Sequence, residues 1–277
     1  MQQKIGIVGL GLMGASFAKS IRKADAILYG FDIQESTMQF ALAEQVIDAT
    51  LTQEKMSEID ILFLAVYPNQ ILKYMQKNAG FMKRGAIVCD FCGIKQEIER
   101  NLLPICETSG LIYVGGHPMA GKERWGYAYA DDTLFENASM LLTPSGDASE
   151  NHIAQVETLC KLAGFGRVIR TTADEHDKII AYTSQLAHVV SGAYMKSSTA
   201  ERHDGFSAGS YRDLTRVAKL NENMWTELFL KNRENLISEI DEVILHLSEY
   251  REALAQEDET LLKQLIREAR ERKERLG

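Results

Sequence analysis

The first fourteen residues constrain the fold more than any other stretch of this chain. An apolar segment, residues 4–8, runs directly into a G-x-G-x-x-G pattern at residues 9–14, and apolar side chains then recur at helical spacing. A strand, a glycine turn and a helix in this order are typical of a dinucleotide-binding unit, where the helix N-terminus carries the pyrophosphate. The residues of this turn expected to bind the cofactor are Gly9, Gly11, Leu12, Met13 and Gly14.

An acidic residue follows the second predicted strand. Ile27–Phe31 predicts that strand and Asp32 ends it, at about the 20-residue distance typical of the ribose-binding carboxylate. No lysine or arginine lies between residues 33 and 37, and Asp32 and Glu35 would repel a 2′-phosphate. These residues predict NAD rather than NADP. The alternative is a turn aspartate that caps the next helix.

Apolar runs alternate with helical patterns through the first half of the chain. Ile61–Val66, Ala86–Cys89 and Leu111–Val114 predict further strands, and Ser139–Thr143 and Arg167–Arg170 predict the last two. This rhythm predicts a doubly wound α/β sheet, in which ligands bind beyond the carboxyl ends of the strands. Four candidate residues fall at such ends: Val66, Pro68, Gly93 and His117.

The second half of the chain is predicted to be helical. Its long helices are expected at Asp174–Met195, Glu222–Tyr250 and Glu259–Leu276, with a short one at Tyr211–Leu220. In the longest, Ile237, Ile240, Ile244 and Leu247 form one apolar stripe. We expect an α/β protein with a Rossmann-type domain over residues 1–172 and an all-α dimerisation domain over residues 173–277. A homodimer through these helices is favoured over a monomer whose helices pack only on the first domain.

Charge and composition exclude several classes of protein. The 277 residues carry a formal net charge of -8, which argues against nucleic-acid and anionic membrane partners. No apolar run approaches the roughly 20 residues of a membrane-spanning helix, and no secretory signal is present, so a cytoplasmic location is expected. Cys89 and Cys92 form a lone C-x-x-C in a predicted buried strand, which favours packed free thiols over zinc or redox chemistry. We predict no metal.

The segment GGHPMAGKERWG, residues 115–126, is the candidate catalytic loop. Its histidine, His117, precedes a proline that restricts it to extended geometry. A histidine held in this way at the end of a strand is a candidate general base, because its ordinary pKa lies near neutrality. The alternative is a surface loop with an incidental histidine.

Four segments resemble the prephenate dehydrogenases and their arogenate-using relatives of tyrosine biosynthesis: GLGLMGAS, GGHPMAGKE, SQLAHVVSGA and SYRDLTRVAKLNENMWTELFLKNREN. The resemblance covers essentially the whole chain. It implies NAD-dependent oxidative decarboxylation of prephenate to 4-hydroxyphenylpyruvate. It also implies roles for four residues: His117 as the base, Arg216 as the ligand of a substrate carboxylate, His188 as a second histidine of the substrate pocket, and Glu123 in closing the site.

The chain departs from the family pattern at several positions. The D-x-G-S-x-K loop of the family is Asp90–Lys95 here, and Gly93 takes the place of the serine that helps to orient the histidine and the substrate hydroxyl. Gln185 replaces the first histidine of S-H-L-P-H, and Lys122 and Trp125 replace a threonine and a serine.

Two alternatives therefore stay open, and a third is weighed and set aside. An arogenate dehydrogenase would use the same chemistry, and Lys122 would disfavour the ammonium of that substrate. A protein that senses NAD or a prephenate-like ligand without turnover is kept open by Gly93. A hydroxyacid dehydrogenase of similar plan finds no support, because the helical half shows no glycine-rich segment followed by a lysine.

Overall fold

The computed structural model describes residues 2–122 and 124–277, and eight strands of these residues form one sheet. The strands are β1 (Gln3–Val8), β2 (Ala26–Phe31), β3 (Ala49–Thr50), β4 (Ile61–Leu64), β5 (Ile87–Asp90), β6 (Ile112–Pro118), β7 (Ser139–Pro144) and β8 (Arg167–Arg170). Their order is β3-β2-β1-β4-β5-β6-β7-β8, with β6 and β7 antiparallel and the other neighbouring pairs parallel. The order reverses between β1 and β4, which opens the ligand-binding crevice of doubly wound sheets at their carboxyl ends.

Helices cover both faces of this sheet. They are α1 (Leu12–Ser20), α2 (Glu35–Ala43), α3 (Pro68–Asn78), α4 (Gln96–Ser109) and α5 (Glu150–Leu162). Side chains of α1, α2 and α5 pack into one apolar core, while those of α3 and α4 pack into a second core on the opposite face. The predicted doubly wound α/β fold is confirmed.

A cluster of phenylalanines fills the core on the α1 face. The ring of Phe17 lies 4.6 Å from that of Phe63, 5.0 Å from Phe91 and 6.1 Å from Phe135, measured between centroids. Phe17 and Phe63 are fully buried, and Phe91 lies directly after β5. The cluster therefore fixes α1, which begins at the glycine turn, against the strands that end in the candidate site.

The rest of the chain is helical, as predicted. Its helices are α6 (Ala173–Ile180), α7 (Ala187–Met195), α8 (Gly209–Thr215), α9 (Glu222–Lys231), α10 (Arg233–Ala255) and α11 (Glu259–Leu276). A π-helical turn, Ala181–Leu186, joins α6 to α7, and a 3₁₀ turn, Arg216–Ala218, follows α8. Among the described residues, no helix is long and apolar enough to cross a membrane. The domain boundary after residue 172 stays a prediction.

The helix predicted over Glu222–Tyr250 is wrong, because Asn232 interrupts it between α9 and α10. The buried side-chain amide of Asn232 donates at 2.8 Å to the backbone carbonyl of Asp177 and at 2.8 Å to Gln185 Oε1. A buried amide must find such partners, and the chain turns at this residue to bring it to them. The predicted helix Tyr211–Leu220 likewise ends early, at Thr215.

Helix α9 also attaches the helical part to the sheet domain. The carboxylate of Glu227 accepts the backbone N–H of Asn69, at the start of α3, at 2.9 Å. Lys231 forms an ion pair with Glu97 on α4. Both contacts lie at helix starts that border the crevice, so α9 is held against the side of the sheet where ligands are expected.

Replacing Phe17 by alanine should lower the free energy of unfolding by about 3–5 kcal/mol, because the substitution opens a cavity inside the phenylalanine cluster. Urea denaturation followed by circular dichroism measures the change. Phe81→Ala, at a phenylalanine that is 47% exposed, is the matched control and should cost less than about 1 kcal/mol. Equal losses in the two variants would contradict the importance of the cluster.

Candidate active site

The glycine turn packs as the dinucleotide fingerprint requires. Gly9 has φ of 87°, and a Cβ added to it would overlap the backbone of Ala65 and the side chain of Val66. A Cβ on Gly14 would overlap the carbonyl oxygen of Gly9. A Cβ on Gly11, in contrast, would meet no atom of the described residues within 4 Å. Two glycines thus allow the close approach of β1, α1 and β4, and the third leaves backbone open to a ligand.

Asp32 is held by two backbone groups. Its carboxylate accepts the N–H of Leu10 at 2.8 Å and the N–H of Gln34 at 2.9 Å. The bond to Gln34 agrees with the turn role considered as the alternative, while the bond to Leu10 fixes the carboxylate beside the glycine turn. A carboxylate has about four acceptor positions, so a ribose hydroxyl can still bind it. This carboxylate therefore fits the ribose of NAD as a hydrogen-bond acceptor.

The other predicted cofactor residues lie around the same turn. Leu12 is buried at the start of α1, and Met13 packs against the core on the α1 face. Val66 follows β4 and contacts the second core, and Pro68 opens α3. The fold thus brings together the ends of β1 and β4 at the switch point of the sheet.

His117, at the end of β6, begins a chain of hydrogen bonds that leads to two buried residues of α6. Its Nδ1 lies 2.9 Å from Nε2 of His176 on α6, and Nδ1 of His176 lies 2.7 Å from Oδ1 of Asp177. The Asp177 carboxylate also accepts the backbone N–H groups of Lys95 at 2.7 Å and Gln96 at 2.9 Å, at the start of α4. The positive end of the α4 dipole and these two donors stabilise Asp177 as an anion.

This order of contacts fixes the tautomers of both imidazoles. An ionised carboxylate only accepts hydrogen bonds, so Nδ1 of His176 carries the hydrogen and its Nε2 carries a lone pair. That lone pair accepts the Nδ1 hydrogen of His117. Nε2 of His117 consequently has a lone pair, on the side of the ring that faces Gly93. This is the arrangement that a general base requires.

Burial keeps the imidazoles neutral. It lowers the pKa of His117 well below the ordinary value of 6.5, and the neighbouring His176 and the positive charge of Lys95 lower it further. Burial also lowers the pKa of His176, although its bond to Asp177 acts in the opposite direction. His117 is therefore present as the free base at neutral pH.

A buried ion pair holds the backbone around His117. The ammonium of Lys95 pairs with the carboxylate of Asp90, and both side chains are fully buried. Lys95 also donates to the carbonyl of Gly116 at 2.7 Å, while Asp90 accepts the hydroxyl of Tyr113 at 2.7 Å. Removing one partner of such a pair typically costs about 3–5 kcal/mol. The pair ties the loop after β5 to the strand that presents His117.

Gly93 leaves room for a side chain next to the candidate base. A Cβ added to it would lie 3.7 Å from Nε2 of His117 and 3.8 Å from the methyl groups of Leu228, which are ordinary contact distances. No positive φ requires glycine at this position. The glycine is therefore compatible with the fold without being needed by it.

Two predicted substrate residues, His188 and Arg216, belong to the helical part of the chain. His188 on α7 donates its Nδ1 hydrogen to the carbonyl of Val217 at 2.8 Å, and its ring lies 3.9 Å from that of Trp225. Burial lowers the pKa of His188; its bond to the Val217 carbonyl acts in the opposite direction, and the positive charge of Arg216 lowers the pKa further. Trp225 is one turn before Leu228 on α9, so the same helix carries a residue next to Gly93 and a residue next to His188. Glu123 lies outside the described residues.

The sequence reasoning missed His176 and Asp177 as site residues. His176 is 59 positions from His117, and the only signal in the chain was the His-Asp pair at the start of the helical half.

The four cysteines are buried free thiols, as expected. Within the described residues, no group of three histidine, cysteine, aspartate or glutamate side chains is arranged to hold a metal ion.

Comparisons with known proteins agree with this geometry. The family model for the nucleotide-binding domain of prephenate dehydrogenase matches residues 17–169, and that for its dimerization domain matches residues 172–268. The chain is 30% identical to a prephenate dehydrogenase of Lactococcus lactis, over 97% of this chain and 76% of the relative. It is 29% identical to a cyclohexadienyl dehydrogenase of Zymomonas mobilis, over 96% and 93%.

Solved structures extend the similarity to the whole fold. Prephenate dehydrogenase of Aquifex aeolicus, solved with hydroxyphenyl propionate and NAD+, superposes with a TM-score of 0.87 at 27% identity, covering 100% of this chain and 99% of that one. The arogenate dehydrogenase of Synechocystis superposes with a TM-score of 0.85 at 25% identity, covering 99% and 100%. With both domains matched along nearly its full length, this chain belongs to the prephenate dehydrogenase family.

Proposed function

We propose that this protein is an NAD-dependent prephenate dehydrogenase, which converts prephenate to 4-hydroxyphenylpyruvate and carbon dioxide in tyrosine biosynthesis. The observation that supports it most is the hydrogen-bonded chain from Asp177 through His176 to His117, because it leaves a neutral base at the carboxyl ends of the strands. The dinucleotide turn ends on the same edge of the sheet. The cytoplasmic location expected from the sequence stays a prediction.

In the proposed reaction, Nε2 of His117 accepts the proton of the ring hydroxyl. The glycine turn and Asp32 would hold NAD, which would accept the hydride from the ring carbon that bears this hydroxyl, so that a carbonyl forms there. Loss of the ring carboxylate as carbon dioxide leaves its electron pair in the ring, which becomes aromatic, and His117 returns the proton to the product oxygen. The protein chiefly positions the reactants and stabilises the transient imidazolium, which Asp177 favours through His176.

We assign the substrate carboxylate to Arg216 and the wall of the ring pocket to His188 and Trp225. A guanidinium fork matches the geometry of a carboxylate better than an ammonium does. The neutral His188 next to Arg216 adds no repulsion to this pair. The role of Glu123 in closing the site stays a prediction.

Arogenate is the second candidate substrate. Relatives of this chain include both an arogenate dehydrogenase and a cyclohexadienyl dehydrogenase. Lys122, considered from the sequence as a discriminator, forms an ion pair with Asp131 at 2.9 Å and is partly exposed. Its charge is therefore balanced locally, and we expect it to have little influence on the choice between a keto and an ammonium group.

We further propose that the protein is a homodimer through its C-terminal helices. Ile237, Ile244 and Leu247 on α10 are between 55% and 63% exposed in the single chain, and the sequence places them on one stripe. An apolar stripe of this length on a helix is normally covered. The match of residues 172–268 to a dimerization domain supports the same arrangement.

Purified protein should reduce NAD when prephenate is added, as measured by absorbance of the reduced nicotinamide. His117→Asn should lower kcat by about 10²–10⁴-fold, because general base catalysis is lost, while NAD binding measured by fluorescence stays the same. Turnover of the variant near the wild-type rate would contradict the assignment of His117. Turnover with arogenate but not with prephenate would support the same mechanism and identify arogenate as the substrate.

Gly93→Ser should raise kcat severalfold without a loss of stability. The added Cβ makes ordinary contacts, and its hydroxyl comes within reach of Nε2 of His117 and of the reacting oxygen. Gly93→Ala, which fills the same space without a donor, is the matched control and should not raise kcat. Activity that appears only in the serine variant would instead support a protein that senses its ligand without turnover.

Ile244→Glu should convert the dimer to monomers, because it places charge inside the apolar stripe. Sedimentation equilibrium should give twice the chain mass of 31.1 kDa for the wild type and one chain mass for the variant. Glu242→Gln, two residues away on α10, is the control and should remain dimeric. A wild-type protein that sediments as a monomer would contradict the proposal.

A further inference from the structure

We propose that Ser191 is a positioning residue for Arg216, and that its hydroxyl fixes the backbone turn which presents the guanidinium to the substrate carboxylate. This inference rests on the function of Arg216 proposed above. It concerns a residue on α7 that has no expected contact with substrate or cofactor.

Ser191 is fully buried, and its hydroxyl forms a hydrogen bond with a neighbouring helix, α8. Its Oγ donates to the carbonyl oxygen of Leu214, on α8, at 2.7 Å. One turn earlier on the same face of α7, His188 donates to the carbonyl oxygen of Val217 at 2.8 Å. The two acceptors lie on either side of Arg216 in the chain. Two side chains of α7 therefore hold the turn that carries Arg216 at both of its ends.

One acceptor, the carbonyl of Leu214, belongs to the last turn of α8, and the other, the carbonyl of Val217, belongs to the turn that follows. α8 ends at Thr215 and the chain continues as the 3₁₀ turn Arg216–Ala218. The last carbonyls of a helix have no partner within it and must be satisfied by side chains or by water. Donors from α7 perform this task here, so the position at which α8 ends, and with it the direction of Arg216, depends on α7.

The bond of Ser191 differs from the usual bond of a serine within a helix. Such a hydroxyl commonly donates to the carbonyl four residues earlier in its own helix, as Ser248 does to Ile244 at 2.8 Å. Ser191 donates instead to a carbonyl of α8, 23 positions along the chain. A bond within a helix stabilises only that helix, whereas this bond couples α7 to the turn of Arg216.

Steady-state kinetics with prephenate and NAD test the inference. Ser191→Ala should raise KM for prephenate about tenfold, the loss of one buried hydrogen bond, while kcat and KM for NAD stay within twofold. Ser248→Ala is the matched control and should leave all three constants unchanged. Thermal unfolding of each variant shows whether the change extends beyond the turn.

The double variant separates positioning from a general loss of structure. In an Arg216→Ala background, Ser191→Ala should have no further effect on KM for prephenate, because the group that it positions is gone. A second tenfold rise in that background would overturn the inference, as would an unchanged KM in Ser191→Ala alone. If Arg216→Ala itself leaves KM unchanged, the proposed role of Arg216 fails, and this result is distinct from either outcome at Ser191.

Discussion

The carboxylate of Asp177 lies on the helical part of the chain and accepts the backbone N–H groups of Lys95 and Gln96 in the sheet domain, where α4 begins. The same carboxylate accepts the hydrogen of His176, and the backbone carbonyl of Asp177 accepts the amide of Asn232. One residue thus joins the two parts of the chain and sets the tautomer of the imidazole that faces His117. An anion at a helix N-terminus is favourable in a buried site, so the contact stabilises the structure and also orients the proposed base.

Around this contact, buried polar groups are paired in a connected network. Gln185 and Asn232 bond to each other, and Asn235 donates to Asn232. Gln185 lies in the π-helical turn between α6 and α7, a feature often found near functional sites. In this chain, Gln185 stands where the family pattern has a histidine, and it contributes to the interior between the domains. The fold therefore accommodates glutamine at this position, because the Gln185 side chain has a hydrogen-bond partner in the interior.

Much of the fold could be predicted from the sequence, because apolar periodicity and glycine spacing are local signals. The turn at Gly9–Gly14, the position of Asp32 and the placement of His117 at a strand end all follow from such patterns. The break at Asn232 could not be predicted, since the helical pattern continues through it and its cause is a buried partner 55 positions away. The partnership of His117 with His176 was missed for the same reason, because it depends on how the two domains pack.

The charge at Lys122 shows a second limit of sequence reasoning. A cation in the candidate catalytic loop suggested selection between substrates, but the fold pairs it with Asp131, nine positions along the chain. Net charge at a site depends on the partners that folding supplies. The same holds for Lys95, whose buried ammonium is balanced by Asp90 and serves to hold the backbone around His117.

The tautomers of His117 and His176 test the account most directly. Nitrogen-15 NMR of protein labelled at its six histidines distinguishes Nδ1–H, Nε2–H and doubly protonated rings, with assignment by single substitutions. The account predicts that both His117 and His176 are neutral at pH 7 and carry their hydrogen on Nδ1. An Nε2–H tautomer at His117, or an imidazolium there in the free protein, would contradict it, because Nε2 would then have no lone pair to accept the substrate proton.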